Sequence, residues 1–329
     1  MQLRRFSAFA LTLLATATLA TATLPIGALA VAAERGPALP DYPPEKVADG
    51  VYVIHGPIDY PTPENQGFMN NPAWLVTDAG VVVIDPGSSV QTGEMVLRAL
   101  REITDAPIIA VLNTHVHGDH WLGNQAIRAA YPEVPIYAHP NMIAAIENGA
   151  GEQWLDLMLR ATEGATAGTE AVGPTQAVGG GTELELGGLT YRIHHWGPAH
   201  TNNDLMIEIP ERGVLFAADN ANNERIVRMD DASFEGLIDT LERAKTIPAE
   251  VVVPGHGLTG GPEIITENLD YVATLRQTVA ELYDEGLSDF EMKDPVAERL
   301  TDYADWAGFD DELGKHISLV YLEVEADAF

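Results

Sequence analysis

"NTHVHGDHWLGN", residues 113 to 124, holds three of the chain's ten histidines and an aspartate within six positions, His115 to His120. A helix repeats about every 3.6 residues, so His115 and His117 would diverge on one, whereas extended backbone points both to the same side. The stretch therefore reads as extended chain. Neutral imidazole and carboxylate are ready ligands for zinc and its neighbours, which makes metal binding the first question. The run just before it, "PIIAVLNT", reads as a buried strand, so the histidines begin where a strand stops, as ligands do in open α/β sheets.

The same alternation extends in both directions. Upstream, "VYVIHG" and "AWLVTDAGVVVIDPG" are β-branched runs broken by a tight Asp-Ala-Gly turn, and "QTGEMVLRALREIT" has helical spacing at Met95, Val96, Ala99, Leu100 and Ile103. Downstream come a helix in "GNQAIRAAY", a strand in "VPIYAH", and helices in "NMIAAIEN" and "EQWLDLMLRA". Residues 163 to 181 turn to Gly, Ala and Thr, a loop between two halves. The second half repeats the mixture with strands "TELELGG", "LTYRIHHW", "DLMIEIP", "GVLFAAD" and "EVVVPG", a helix in "SFEGLIDTLERAKT", and a long amphipathic helix from "EIITENLDYV" onward. Two mixed halves predict two sheets packed face to face with helices outside.

Three more apolar runs end on a metal-binding side chain. "HHWGPAHTNNDL" presents His200 behind a Gly-Pro turn, "VLFAADNANNE" ends in Asp219, and "VVVPGHGLTGG" presents His256 between glycines. With His115, His117, Asp119 and His120 they make seven ligands, five imidazoles and two carboxylates. Seven exceeds one tetrahedral zinc but suits two ions sharing a carboxylate and a water or hydroxide. His115, His117 and His200 are expected on one ion, and Asp119, His120 and His256 on the other. Asp219, with two oxygens to divide, is the expected bridge.

Composition narrows the chemistry further. The chain has no cysteine, which excludes disulfides, thiolate zinc, iron–sulfur clusters and a cysteine nucleophile. Its 18 Lys+Arg against 49 Asp+Glu, a formal net charge of −31, would repel nucleic acid. An apolar fraction of 46% supports a sizeable core without staples.

The first 33 residues differ from the rest. "MQLRR" is basic, the following run is apolar and small, and "ALAVAAE" offers cleavage after Ala30 or Ala33, so residues 1–33 read as an export signal and the mature chain as periplasmic or extracellular. No later stretch is long and apolar enough to span a bilayer. The expected partner is a small-molecule substrate, with the oligomeric state left open.

The ordered set HxHxDH, GxxHT, an apolar run ending in Asp, and PGH resembles the metallo-β-lactamase superfamily, and "VVVIDPG" with Asp85 resembles that superfamily's first strand motif. The resemblance covers nearly the whole mature chain and implies an αββα sandwich, an α/β (α+β) fold with the metals at one edge of the two sheets. Residues 34–262 would form the catalytic domain and 263–329 a C-terminal helical extension packed on it. Two Zn²⁺ per chain are implied, with iron or manganese accepted by the same donors. The implied reaction is attack by a metal-bridging hydroxide on an ester, thioester, lactone or amide-type bond, with Asp119 orienting the nucleophile or passing on its proton. Asp85 and Thr114 are expected behind the ligands, fixing tautomers and loop geometry.

Two departures disfavour β-lactams. Asp219 stands where one lactamase subclass has cysteine, and Asn222 stands where a lysine would hold the drug's carboxylate. Aspartate there looks like the glyoxalase II and lactonase branches, yet the acidic tail with Lys315 alone lacks basic residues for glutathione. Together with the leader, the pattern looks most like periplasmic hydrolases of the SoxH and quinoprotein-relay type. Rival readings are a β-lactamase, an iron-dependent persulfide-dioxygenase-like oxidoreductase and a non-catalytic metal-binding accessory protein. Residues 56 to 74 are expected to form a flap carrying Tyr60, Phe68, Met69 and Trp74 at a substrate wall, with Trp121 beside them. His55, His139, His194, His195 and His316 are expected to be ordinary hydrogen-bonded histidines.

Overall fold

A computed structural model describes residues 35–328; the leader read at 1–33 lies outside them. The first sheet has seven strands in chain order: β1 (Glu45–Ala48), β2 (Val51–Val53), β3 (Ala73–Thr77), β4 (Gly80–Ile84), β5 (Ile108–Leu112), β6 (Ile136–Ala138) and β7 (Gln176–Ala177). It is antiparallel from β1 to β4 and parallel from β4 to β7. The second sheet contains β8 (Glu183–Leu186), β9 (Leu189–His194), β10 (Met206–Ile209), β11 (Val214–Ala218) and β12 (Val251–Pro254), antiparallel except for the parallel β11–β12 pair.

Period-two side chains bury the inner faces of both sheets against each other. Val51, Val53, Leu75, Val82, Ile84 and Leu112 of the first share a core with Tyr191, Ile193, Ile207, Ile209 and Phe216 of the second. Each such side chain contributes about 1.5–3 kcal/mol by leaving water. The alternate residues Val81 and Val83 pack outward on Met95, Val96 and Leu100 of α1 (Val90–Ile103), whose first turn is capped by Ser89 accepting from Thr92 N.

The other outer face is covered by α6 (Phe234–Ala244), α7 (Glu263–Asp284), α8 (Lys293–Arg299) and α9 (Phe309–Asp327), all within one core with β11. The remaining helices, α2 (Gly118–Trp121), α3 (Asn124–Ala130), α4 (Pro140–Ala145) and α5 (Gly151–Ala161), follow the first sheet's parallel strands. The architecture is the αββα sandwich of two mixed sheets. No helix among the described residues is long and apolar enough to cross a membrane.

The expected flap is instead a packed segment. Asn65 accepts from Thr62 N and Gly67 N and donates to the Tyr60 carbonyl, while Asn71 donates to the carbonyls of Pro254 and Gly257. Phe68 is fully buried against Tyr42. Trp74 is no substrate wall either. It points from β3 into the core beneath α1 and stacks on Tyr52, because β3 is covered on both faces and strand alternation there chooses between two buried sides.

Candidate metal centre

Parallel pairing of β4 with β5, and of β11 with β12, brings four carboxyl ends to one edge of the sandwich. Asp85 follows β4, His115 to His120 follow β5, Asp219 follows β11 and His256 follows β12. His200 arrives on the β9–β10 connection. Two of these turns are backbone outliers: Asp85 and Ala218 have φ of 48° and 49°, a left-handed region costly for residues with a Cβ.

The seven predicted ligands converge in two groups. Donor atoms of His115, His117, His200 and Asp219 lie within 4.8 Å of one another, and so do those of Asp119, His120 and His256. Asp219 reaches both groups. Its Oδ1 is 3.2 Å from His120 Nε2, and its Oδ2 is 3.2 Å from His256 Nε2 and 3.7 Å from His200 Nε2. Asp119 Oδ2 lies 3.3 Å from His256 Nε2 and 3.4 Å from His120 Nε2.

Buried nitrogens and oxygens without hydrogen-bond partners test whether cations fit. Nε2 of His115, Nε2 of His120 and Oδ1 of Asp219 are such orphans, all aimed into this space. His200 Nε2 and His117 Nδ1 sit 3.0 Å apart. Tetrahedral zinc with nitrogens at about 2.0–2.1 Å would set its ligands roughly 3.3 Å apart, so a shared cation accounts for the approach. The residues fit a pair of metal ions.

In four of the five imidazoles the opposite ring atom has a hydrogen-bond partner; His200 Nδ1 has none among the described residues. Asp85 Oδ2 accepts from His120 Nδ1 at 2.8 Å and from the Thr114 hydroxyl at 2.6 Å, and that hydroxyl oxygen lies 3.0 Å from His115 Nδ1. Asp85 thus orients two imidazoles, one through Thr114. His256 Nδ1 donates to the Met69 carbonyl at 2.9 Å, and His117 Nε2 faces Asp231 at 3.4 Å. Each arrangement leaves the metal-facing nitrogen free.

Protonation separates the two groups. Burial, reinforced by neighbouring histidines, holds His115 well below the usual histidine range and takes His200 down to about 3. Burial pushes His120 the same way, but Asp219, Asp119 and Asp85 overcome it and raise the ring well above that range; His256 is raised against burial chiefly by Asp219. For Asp119 and Asp219 burial opposes ionisation, and His120 and His256 outweigh it. A cation at the second group must therefore displace protons that His115 and His200 of the first group do not hold. Metal titration with a chromophoric chelator between about pH 8 and about pH 6 should weaken the second equivalent more than the first; parallel weakening would contradict the assignment.

Gly255 gives the bridge its room. A Cβ there would stand 1.9 Å from Asp219 Oδ1, and the nearest backbone, the Ala218 carbonyl carbon, is 2.8 Å away. Gly255→Ala is expected to weaken metal affinity about tenfold with every ligand residue retained, read by chelator competition, and unchanged affinity would refute the crowding.

A cavity of about 260 Å³ opens beside the two groups. Tyr60 and Met69 line it together with Trp154, Leu157 and Met158 of α5. Trp121 does not line it: the ring is fully buried and its Nε1 donates to the Val116 carbonyl, bracing the loop that carries the histidines. Asn222 serves the His256 turn, its Oδ1 accepting from His256 N at 3.0 Å. His55, His139, His194, His195 and His316 each hydrogen-bond outside the two groups, His55 with Thr259 and His195 with the Asp204 carbonyl. Trp154, Arg225 and Asp231 were not anticipated. Asp231, a carboxylate twelve residues past Asp219, carried no spacing signal.

Known proteins are similar to this chain at low identity. A linear primary-alkylsulfatase of Pseudomonas sp. (strain ATCC 19151) is 24% identical over 258 residues, 66% of this chain and 48% of the sulfatase. A hydroxyacylglutathione hydrolase of Yersinia enterocolitica is 27% identical over 188 residues, 56% of this chain and 61% of that enzyme. The chain thus spans about half to three-fifths of these relatives' length. Among solved structures, a metallo-beta-lactamase from Pontibacter korlensis superposes with TM-score 0.57 at 18% identity, covering 70% of this chain and 98% of that one. The inverting sec-alkylsulfatase Pisa1 from Pseudomonas sp. gives TM-score 0.66 at 19% identity over 86% of this chain and 50% of its own. The sequence profile of one family matches residues 67–256, more than half of the chain and every one of the seven converging side chains, and by that match the chain belongs to the metallo-beta-lactamase superfamily.

Proposed function

We propose that the protein is an exported dinuclear metallohydrolase that cleaves an ester-type bond of a small molecule. The observation that carries this reading is the convergence of two ligand groups on one carboxylate, Asp219, beside an open cavity. His115, His117, His200 and Asp219, and Asp119, His120 and His256, would hold two divalent cations, which would supply acidification of a water toward neutral pH and a Lewis-acidic contact for the bond under attack. Asp119, ionised and lining the cavity, orients the nucleophile and takes its proton. Met69, Trp154 and Met158 give the cavity apolar lining that limits bulk water beside the reacting groups, which strengthens charge interactions within.

Ester, thioester, lactone and amide bonds are the candidates, and the two alkylsulfatases' names add the sulfate ester. Zinc is the proposed metal. The leader at 1–33 supports placement outside the cytoplasm, and the SoxH-type and glyoxalase II-like branches are the nearest fits by motif. A substrate panel run on zinc-loaded and chelator-treated protein tests the proposal. Turnover of at least one bond class that is lost with the metal is expected. Oxygen uptake with one iron per chain and no hydrolysis would overturn it.

A further inference from the structure

Arg225 lines the cavity together with Asp119, Asp219 and His256, and it is 9% exposed. Arg228, which lines the same cavity, is paired with Asp230. Arg225 has no such partner: among the described residues no carboxylate lies within ion-pair distance of it. Among the described residues its one side-chain hydrogen-bond contact is Nη1 to His256 Nδ1 at 3.0 Å. That nitrogen also faces the Met69 carbonyl at 2.9 Å, and a carbonyl only accepts, so Nδ1 carries its proton toward Met69 and offers Arg225 nothing.

A nearly buried guanidinium without a carboxylate partner is costly, and this chain has 49 Asp+Glu with which to pair one. The backbone nevertheless holds it in place. Glu224 just before it has φ of 53°, and the segment is pinned to the α8–α9 connection by Ile226 N to the Ala307 carbonyl and Ala307 N to the Glu224 carbonyl, both 2.9 Å. The lining of the same cavity also includes an apolar group, Met69, Trp154, Leu157 and Met158.

We propose that Arg225 is the anion anchor of this cavity, and that the substrate is an amphiphile with an oxyanion at its reacting end and an apolar chain lying along Trp154, Leu157 and Met158. The planar guanidinium suits sulfate and carboxylate alike, since both present two oxygens to its paired N–H groups. The inference deepens the hydrolase reading and relies on it for where the reacting atoms lie, but binding alone tests it.

Calorimetry on zinc-loaded protein with octanesulfonate, octanoate, octanol and octyltrimethylammonium reads the preference directly. The anions are expected to bind about tenfold or more tighter than the neutral and cationic chains, and the sulfonate-to-octanoate ratio separates the two oxyanion sources. Arg225→Met should cut the anion-over-octanol ratio about tenfold, while Arg225→Lys keeps most of it. Equal binding of octanol and the anions by the native chain would overturn the proposal, as would an undiminished ratio in Arg225→Met, which would assign anion binding to the metals alone. Loss of anion preference in Arg225→Met from a protein that hydrolyses nothing would leave the anchor standing and remove the hydrolase.

Discussion

Asp219→Ala is expected to lower turnover by about a thousandfold or more and to leave at most one metal ion per chain. Two oxygens of one carboxylate stand 3.2 Å from ligand nitrogens of His120 and His256, and one also approaches His200. Its removal withdraws a negative charge from between two cations and leaves His120 and His256 without the group that most raises their basicity. A thousandfold loss corresponds to about 4 kcal/mol, within what a cation pair contributes to charge stabilisation. Kinetics on the best substrate of the panel, with metal analysis on the same sample, reads both effects. Near-native turnover with two bound metals would show that Asp219 is no bridge.

Asp85→Ala should cost less, yet more than a residue outside the ligand set ordinarily does. Its carboxylate holds His120 directly, accepts from Thr114 N and Oγ1, and through that hydroxyl steadies His115, so one side chain orients a ligand in each group. Loss of such a partner lowers metal affinity about 10- to 100-fold. Both metals should weaken together, unlike the selective loss on acidification. Competition with a chelator of known affinity measures this. Weakening of one metal alone would mean that Thr114 keeps His115 oriented without Asp85. Asp85→Asn should recover part of the loss, because its amide oxygen still accepts from His120.

The ligand set was legible because it depends on short-range chemistry. Extended spacing at His115 and His117, and apolar runs stopping at Asp219 and His256, mark strand ends whatever the remainder of the chain does. The cavity wall was legible only in part. Trp74 and Trp121 were expected beside the substrate from their place near motifs, but β3 is buried on both sides and Trp121 turns under its own loop. Trp154 lies on an amphipathic helix whose apolar stripe reads as core. It faces His117 instead, with ring centroids 5.0 Å apart. Arg225 had no pattern to announce it, since its burial comes from a bridge to Ala307, a contact across more than eighty residues.

Anomalous diffraction at the zinc edge from crystals of the metal-loaded protein tests the central claim most directly. Two peaks per chain are expected, about 3.5–4 Å apart, with Asp219 between them, one beside His115, His117 and His200 and the other beside Asp119, His120 and His256. A single fully occupied peak at saturating zinc, with the other group's nitrogens turned away, would contradict the account.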